Sequence, residues 1–203
     1  MPVSILDYGL GNLGSIRNMF RKIGVETLSV DSPEGLLGAS KILLPGVGAF
    51  DAGMRALKAR GLTEPLLDRA RAGIPILGIC LGMQLLTRGS EEGTLPGLGL
   101  FDASCRRLLV PIGSALKVPH MGWAQLTRRK ASHLLQGLDD KARFYFVHSY
   151  HVVCTDPADV LATSDHGGEF VAMIERGNVV GAQFHPEKSH RFGMQVFRNF
   201  AEI

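Results

Sequence analysis

The sequence predicts an α/β fold: a central, mostly parallel sheet flanked by helices, with additional antiparallel strands in the C-terminal half. The first observation behind this prediction is that strand and helix patterns alternate from the N-terminus through residue 86. The second is that the strands of this part are continuous apolar runs, which is typical of parallel strands buried on both faces. The third is that short strands with few helices between them follow. We expect a single domain covering residues 1–203.

The N-terminal half supplies the predicted parallel strands and their helices. An apolar strand at residues 3–7 runs into a glycine-containing turn, and apolar residues then recur at helical spacing over residues 12–23, before Gly24. Asp51 is expected to cap a helix that reaches residue 57, and a second helix around residues 62–70 ends at Gly73. The remaining strands are predicted at residues 25–30, 41–44 and 74–79, with a helix after the last of them.

The C-terminal half has a different pattern. Short apolar strands are predicted at residues 106–110, 143–147, 151–154, 160–163, 170–176 and 179–184. Gly177-Asn178 joins the last two strands as a tight hairpin turn, so this pair is antiparallel. Apolar residues on one side of residues 194–201 predict a closing helix.

The composition excludes several classes of protein. Hydrophobic residues make up 45% of the 203 residues and charged residues 20%, which indicates a folded core rather than disorder. The net charge is only +3 and the basic runs are short, so we expect solvated surfaces and no nucleic-acid partner. No apolar run reaches the roughly 18 residues of a membrane span. The N-terminus has no basic lead or cleavage site, so no signal peptide is expected.

The cysteines also indicate the compartment. There are three, Cys80, Cys105 and Cys154, without a Cys-x-x-Cys pair. This odd, sparse set favours neither a disulfide framework nor a metal site, and it suits the cytoplasm. We interpret Cys105 and Cys154 as small core residues of strands, and we expect no metal ion and no cofactor.

Cys80 is the first candidate for chemistry. It stands between two glycines in Gly78-Ile79-Cys80-Leu81-Gly82, directly after an apolar strand and before a helix. Such a turn lifts a nucleophile above the end of a sheet, and the start of a helix favours the thiolate. A buried cysteine in an ordinary strand-to-helix turn is the alternative.

His185-Pro186-Glu187 supplies the candidate base. A residue before proline favours an extended conformation, so His185 is expected to finish the strand at residues 179–184 with its ring at the end of the sheet. Glu187 follows at a distance that permits a hydrogen bond to the imidazole. Cys80 and His185 both follow predicted strands, at the edge where ligands gather in open α/β sheets.

The segment Pro45-Gly46-Val47-Gly48 is a third candidate. It follows an apolar strand, and its glycines allow backbone N–H groups to turn toward a reacting carbonyl. Together with the N–H of Leu81 it would form an oxyanion hole. The alternative is a plain proline–glycine turn.

These motifs, in this order, resemble those of class I glutamine amidotransferases, which use a Cys-His-Glu triad. The fit extends over nearly the whole chain, and it rests on Pro45-Gly46-Val47-Gly48, Gly78-Ile79-Cys80-Leu81-Gly82-Met83-Gln84 and His185-Pro186-Glu187. The motifs are specific in combination and not singly. The resemblance implies a flavodoxin-like fold and glutamine as substrate.

Four more stretches resemble one branch of that family, the glutaminase subunits of imidazole glycerol phosphate synthases, which belong to histidine biosynthesis. They begin at Asp7, Lys117, Phe146 and Gln183, and they read DYGLGNL, KVPHMGW, FVHSY and QFHPEKS. The branch implies a separate (β/α)₈-barrel cyclase subunit, joined in a heterodimer. That subunit receives ammonia and makes imidazole glycerol phosphate and an aminoimidazole carboxamide ribotide.

The resemblance also implies residue roles. Cys80 would form a γ-glutamyl thioester, His185 would transfer protons, Glu187 would orient the ring, and Val47 and Leu81 would give the oxyanion N–H groups. The implied glutamine-binding residues are Gly48, Gln84, Glu92, Ser149 and Tyr150, of which Glu92 suits the amino group and Gln84 can donate and accept. The implied partner interface consists of Asn12, Pro119, His120, Met121 and Trp123.

Some interpretations stay open at this level. Trp123 is alternatively a half-buried core indole, and His120 and His148 are alternatively structural histidines. The family usually has asparagine after the tryptophan, where this chain has Ala124, which removes a possible polar contact at the interface.

Two other functions compete with the glutaminase subunit. The first is the amidotransferase subunit of anthranilate or aminodeoxychorismate synthesis, but those proteins usually have serine after His-Pro-Glu, where this chain has Lys188, and they lack the Pro-His-Met-Gly-Trp stretch. The second is a catalytically dead module that only binds a partner, which the complete set of triad residues disfavours.

Overall fold

The computed structural model describes residues 1–203. It contains twelve strands: β1 Val3–Leu6, β2 Thr27–Val30, β3 Ile42–Leu44, β4 Ile76–Ile79, β5 Ala103–Arg107, β6 His120–Gln125, β7 Thr127–Arg128, β8 Arg143–His148, β9 Tyr150–Cys154, β10 Val160–Asp165, β11 Glu169–Arg176 and β12 Val179–Ala182. The helices are α1 Leu13–Lys22, α2 Pro33–Leu37, α3 Phe50–Ala59, α4 Thr63–Arg71, α5 Leu81–Leu85 and α6 His190–Glu202. Short 3₁₀ turns cover His133–Leu135, Pro157–Asp159 and Pro186–Lys188.

Ten of the strands form one mixed sheet. Its main path runs β2-β1-β3-β4-β12-β11-β10-β7, with β9 paired to β11 and β5 paired to β9. The pairs from β2 to β12 are parallel, and every pair beyond β12 is antiparallel. Strands β6 and β8 form a separate antiparallel pair. The predicted fold class is therefore confirmed, including the antiparallel addition in the C-terminal half.

The two faces of the sheet bury two hydrophobic clusters. On one face, apolar residues of α1 and α6 pack with β8, and Phe20 stacks on Phe197 with ring centroids 4.5 Å apart. On the other face, apolar residues of α2, α3, α4 and α5 form the second cluster. Helices cover both sides of the parallel strands, which explains why these strands are continuous apolar runs.

Several elements differ from the prediction. Helix α2 and strands β6 and β7 were not expected, and the strand predicted at residues 106–110 lies at Ala103–Arg107. Ser32 caps α2 by accepting a hydrogen bond from the N–H of Gly35, with Pro33 at the first helical position. Serine before proline is a common start of a helix, but an element of five residues is too short to show helical periodicity in the sequence.

Asp51 does not cap α3, so that prediction was wrong. The helix begins one residue earlier, at Phe50, and the N–H of Phe50 is satisfied by the carboxylate of Glu92 at 2.8 Å. The carboxylate of Asp51 instead accepts hydrogen bonds from the N–H groups of Thr94 and Leu95. Both carboxylates thus tie the loop after α5 to the start of α3.

None of the helices combines the length and the apolar character needed to cross a bilayer.

Candidate active site

The register of two neighbouring strands brings Cys80 and His185 to one edge of the sheet. Strands β4 and β12 are parallel neighbours, with Ile79 opposite Ala182. The N–H of Cys80 donates to the carbonyl of Ala182 at 2.7 Å. Both strands end at this point, so the residues that follow β4 and β12 lie side by side, as expected from the sequence.

Cys80 itself makes the sharp turn between β4 and α5. Its backbone lies in the left-handed region, with φ 54° and ψ −110°, an uncommon conformation for a residue with a side chain. The flanking glycines serve close packing instead: a Cβ on Gly82 would lie 1.9 Å from the carbonyl oxygen of Leu44. Helix α5 has only five residues, so its dipole gives the thiolate less support than the sequence suggested.

His185 and Glu187 form a buried pair. Nδ1 of His185 lies 2.7 Å from Oε1 of Glu187, and both side chains are 2% exposed. His185 does not finish the strand as predicted, because β12 ends at Ala182. The residue is held instead from β8, where the carbonyl of Tyr145 accepts its N–H at 2.9 Å.

The other ring nitrogen of His185 faces the reaction site. Nε2 is buried and has no partner that meets hydrogen-bond geometry. Burial lowers the pKa of His185, but the sulfur of Cys80 and the carboxylate of Glu187 raise it more, so that the net pKa lies above the usual histidine range. Because Nε2 and the sulfur do not form a regular hydrogen bond, we attribute the effect of Cys80 to attraction between thiolate and imidazolium.

Two residues with unbonded backbone N–H groups line the same site, one in the segment after β3 and one directly after Cys80. Val47 and Leu81 both line the cavity next to Cys80, and their N–H groups make no hydrogen bond within the protein. Gly48 has φ +101°, a conformation that requires glycine. The arrangement is compatible with the oxyanion hole expected from the sequence.

A cavity of about 310 Å³ lies above Cys80. This volume is within the range of small-molecule sites. Its lining contains nearly all of the candidate catalytic, oxyanion and substrate residues: Val47, Gly48, Cys80, Leu81, Gln84, Glu92, Ser149, Tyr150 and His185, together with Pro119, Val147 and His148. Glu187 lies behind His185 and does not line it. A larger groove of about 730 Å³ runs between α1 and β2 and contains none of these residues.

Gln84 and Glu92 each keep one side-chain oxygen that makes no hydrogen bond within the protein. Nε2 of Gln84 donates to the carbonyl of Tyr150 at 3.0 Å and to Oε1 of Gln183 at 3.1 Å, so both of its protons are used. Gln84 therefore offers a substrate only the acceptor Oε1, which corrects the expectation that it both donates and accepts. Glu92 uses Oε2 on the N–H of Phe50 and keeps Oε1 free.

Gln183 is a residue of the site that the sequence analysis did not single out. Its side chain is completely buried, and its Nε2 lies 3.7 Å from the sulfur of Cys80. One signal was available: the sequence predicts a strand that His185 finishes, and in such a strand the side chains of Gln183 and His185, two residues apart, point to the same side.

The candidate interface residues divide into exposed and buried ones. Met121 and Trp123 alternate outward along β6 and are 63% and 43% exposed, which disfavours a core role for the indole. Asn12 is exposed and also caps α1 through the N–H of Ser15. Pro119 is exposed and also lines the cavity above Cys80.

His120 requires a correction. The sequence predicts no strand at this position, but β6 begins here, and the inward side of that strand buries the histidine to 5% exposure. Its ring stacks on His166 at 4.1 Å and on Phe146 at 5.1 Å between centroids. His120 is therefore a structural histidine and its side chain does not face a partner. His148, on the paired strand β8, is likewise buried.

The chain is similar to known proteins over nearly its whole length. A family model described as glutamine amidotransferase class-I matches residues 4–203. The chain is 46% identical over 202 residues to imidazole glycerol phosphate synthase subunit HisH 2 of Pseudomonas aeruginosa, covering 99% of each protein. It is 45% identical over 199 residues to the protein of the same name from Methanococcus maripaludis, covering 98% of each.

Solved structures share the fold at lower identity. The structure of PurLQS from Thermotoga maritima superposes with a TM-score of 0.73 at 22% identity, covering 99% of this chain and 97% of that one. The crystal structure of a glutamine amidotransferase from the same organism gives a TM-score of 0.67 at 20% identity, covering 100% and 83%. These two likenesses concern the fold.

Proposed function

We propose that this chain, which belongs to the class-I glutamine amidotransferase family, is the glutaminase subunit of an imidazole glycerol phosphate synthase in histidine biosynthesis. The observation that supports the chemistry is that Cys80, His185, Val47 and Leu81 line one cavity, and that the backbone N–H groups of Val47 and Leu81 make no hydrogen bond within the protein. The pathway is supported by full-length relatives at about 45% identity. The protein acts in the cytoplasm.

In the first half of the reaction, the thiolate of Cys80 attacks the side-chain amide carbon of glutamine. The carbonyl oxygen gains negative charge, which the N–H groups of Val47 and Leu81 receive. His185 then gives the proton on Nε2 to the amide nitrogen, the C–N bond breaks, and ammonia leaves. A γ-glutamyl thioester remains on the sulfur.

In the second half, water takes the place of ammonia. His185, now neutral, removes a proton from the water, whose oxygen attacks the thioester carbon. The C–S bond breaks, glutamate leaves, and the thiolate is regenerated. Glu187 accepts from Nδ1 throughout, so the ring keeps one orientation and Nε2 exchanges the proton.

The cavity supplies groups for the rest of the glutamine molecule. Oε1 of Gln84 and Oε1 of Glu92 are free acceptors, which suits the α-ammonium group of the substrate. Gly48 lines the same cavity, and its backbone N–H, which makes no hydrogen bond within the protein, is a free donor. This division of acceptors and donors matches an amino acid bound by its main-chain groups.

The ammonia is delivered to a second protein, a (β/α)₈-barrel cyclase that forms a heterodimer with this chain. Support comes from the outward side of β6, where Met121 and Trp123 expose apolar surface next to Pro119 at the cavity. Trp123 packs against Tyr145 and His190, so it presents a fixed indole to a partner. Rigid aromatic side chains are frequent anchors of interfaces.

The test is to measure glutamine hydrolysis by this chain alone, with the cyclase of the same organism, and with that cyclase plus its nucleotide substrate. We expect a low rate alone and the highest rate in the full mixture, because the family couples formation of the oxyanion hole to ligand binding by the cyclase. Equal rates in all three mixtures would contradict the coupling. No binding to the cyclase would contradict the assignment to this synthase.

A further inference from the structure

We propose that Gln183 is a catalytic residue of this site, one that stabilises the thiolate of Cys80 by donating a hydrogen bond from its side-chain amide. The inference rests on the proposed function in one respect, namely that Cys80 is the nucleophile. It assigns a role to a residue that belongs to neither the triad nor the oxyanion hole.

The surroundings of the sulfur favour this role. Two hydrogen-bond contacts reach Sγ of Cys80: the carbonyl oxygen of Val147 at 4.0 Å and Nε2 of Gln183 at 3.7 Å. The carbonyl can only accept, so it interacts favourably with the thiol and unfavourably with the thiolate. Of these two contacts, the amide of Gln183 is therefore the one that favours the charged, nucleophilic form, in addition to the charge of the His185 imidazolium.

The orientation of the Gln183 amide is determined by a short relay of hydrogen bonds. The carbonyl of Tyr150 accepts only, and it fixes the NH₂ group of Gln84 on its side. That same NH₂ group donates to Oε1 of Gln183, so the oxygen of Gln183 must face Gln84. Its nitrogen, and hence its donor, is left to face Cys80. Without the hydrogen bond from Gln84, the amide of Gln183 could turn its oxygen toward Cys80 instead of its nitrogen.

Burial makes the contact effective. Gln183 is completely buried and Gln84 is 5% exposed, so bulk water does not compete for the amide protons. The contact also differs from that of His185, because Gln183 gives up no proton. When His185 has protonated the departing ammonia and is neutral, the amide donor still faces the sulfur that must leave in the second half of the reaction.

The alternative is that Gln183 only fills the core below the cavity. Both roles predict that replacing it destabilises the protein, so stability does not distinguish them. The ionisation of Cys80 does, because a space-filling residue of similar volume would leave it unchanged. Gln183→Met retains the volume and removes the donor.

The experiment measures the rate of Cys80 alkylation by iodoacetamide between pH 5 and 10 on the intact chain, with each cysteine followed by peptide mass spectrometry. For Gln183→Met we expect the midpoint of the Cys80 profile to rise by about one pH unit. Gln84→Leu, which removes the relay, is expected to raise it by a smaller amount. In the double variant the Cys80 midpoint should rise no further than in Gln183→Met alone, since both substitutions interrupt the same series of hydrogen bonds.

Two controls accompany the measurement. Gln195→Met removes an amide that contacts Asn199 on α6, away from the cavity, and should leave the Cys80 midpoint unchanged. The alkylation rate of Cys154, which lies on β9, serves as an internal reference in every variant; burial raises its pKa to about 11, so this rate should rise through the whole pH range without a midpoint.

An unchanged Cys80 midpoint in Gln183→Met would overturn the proposal. If that variant fails to fold, the Cys80 midpoint is measured in Gln84→Leu instead, and an unchanged midpoint in that variant also overturns the proposal. The proposed function is tested separately in the wild type: glutaminase activity that survives complete alkylation of Cys80 would refute the nucleophile without reference to Gln183.

Discussion

The hydroxyl of Tyr8 donates a hydrogen bond of 2.6 Å to the carbonyl oxygen of Pro45. Tyr8 is buried and follows β1, while Pro45 begins the segment that carries the candidate oxyanion N–H of Val47. Burial raises the pKa of Tyr8, so the phenol stays protonated and remains a donor. The contact thus links the turn that leads to Asn12, a candidate partner residue, with the oxyanion segment.

Replacing Tyr8 tests the importance of this link. In Tyr8→Phe the carbonyl of Pro45 loses its donor in the protein interior, and we expect the free energy of unfolding to fall by about 1–2 kcal/mol. We also expect kcat for glutamine to fall more than KM rises, because the oxyanion segment is less fixed. Urea unfolding and steady-state kinetics with the cyclase present measure both effects. Tyr145→Phe, which removes a hydroxyl without a hydrogen bond, is the control, and equal losses in both variants would contradict the argument.

Gly46 has no room for a side chain. A Cβ at this position would lie 2.7 Å from the hydroxyl oxygen of Tyr8 and 2.8 Å from the backbone nitrogen of Gly82. Gly46→Ala must displace the segment and should reduce glutaminase activity at least tenfold. Gly14→Ala is the matched control, because nothing lies within 4 Å of its Cβ on the exposed side of α1. It should be neutral or stabilising by roughly 0.5–1 kcal/mol. An active Gly46→Ala enzyme would show that this packing does not hold the segment.

Glu187→Gln removes the negative charge behind His185 and retains an acceptor for Nδ1. The imidazolium that forms during the reaction is then less stable, so we expect kcat to fall about 100-fold with little change in KM. The comparison is Glu175→Gln, whose carboxylate contacts Ser132 outside the cavity and which should keep normal kinetics. If the two variants have the same kcat, the negative charge of Glu187 does not contribute to catalysis.

Two buried histidines predict how stability depends on pH. Burial lowers the pKa of His148 to about 3 and that of His120 to about 4. In the unfolded chain both titrate near 6.5, so below that pH the unfolded state binds protons that the folded state does not. Their contribution to stability is complete above about pH 6.5 and is lost as pH falls toward the folded-state values.

His148→Asn tests this dependence. The wild type should lose about 2 kcal/mol through His148 between pH 7 and pH 5, and the variant should lose correspondingly less in urea unfolding. Asparagine can still donate to the carbonyl of Tyr150, as Nδ1 of His148 does at 3.0 Å. His133→Asn changes an exposed histidine and should follow the wild-type profile. If the free energy of unfolding falls equally with pH in His148→Asn and in the wild type, His148 is not the source of this dependence.

The sequence predicted those parts of the site that local patterns determine. Cys80 and His185 each follow an apolar strand, and parallel strands end at the same edge, so their proximity needed only the order of elements. The hydrogen bond between His185 and Glu187 needed only a spacing of two residues. The glutamine-binding residues around the cavity were predicted from the resemblance to a family and not from local patterns.

Other features depend on contacts between distant segments. His120 is buried because β6 pairs with β8 and places it between Phe146 and His166, and no local pattern contains that pairing. The amide of Gln183 is oriented by Gln84, 99 residues away in the chain. Asp51 had the right residue type for a helix cap, but the loop after α5 provides its partners and Glu92 caps α3 instead.

The central claim is that Cys80 forms the thioester that releases ammonia for a second protein chain. The most direct measurement compares product formation by the cyclase complex from glutamine and from ammonia at high pH, for the wild type, Cys80→Ala and the control Cys154→Ala. We predict that Cys80→Ala loses all glutamine-dependent activity and keeps the ammonia-dependent activity, while Cys154→Ala keeps both. Glutamine hydrolysis by Cys80→Ala would contradict the account.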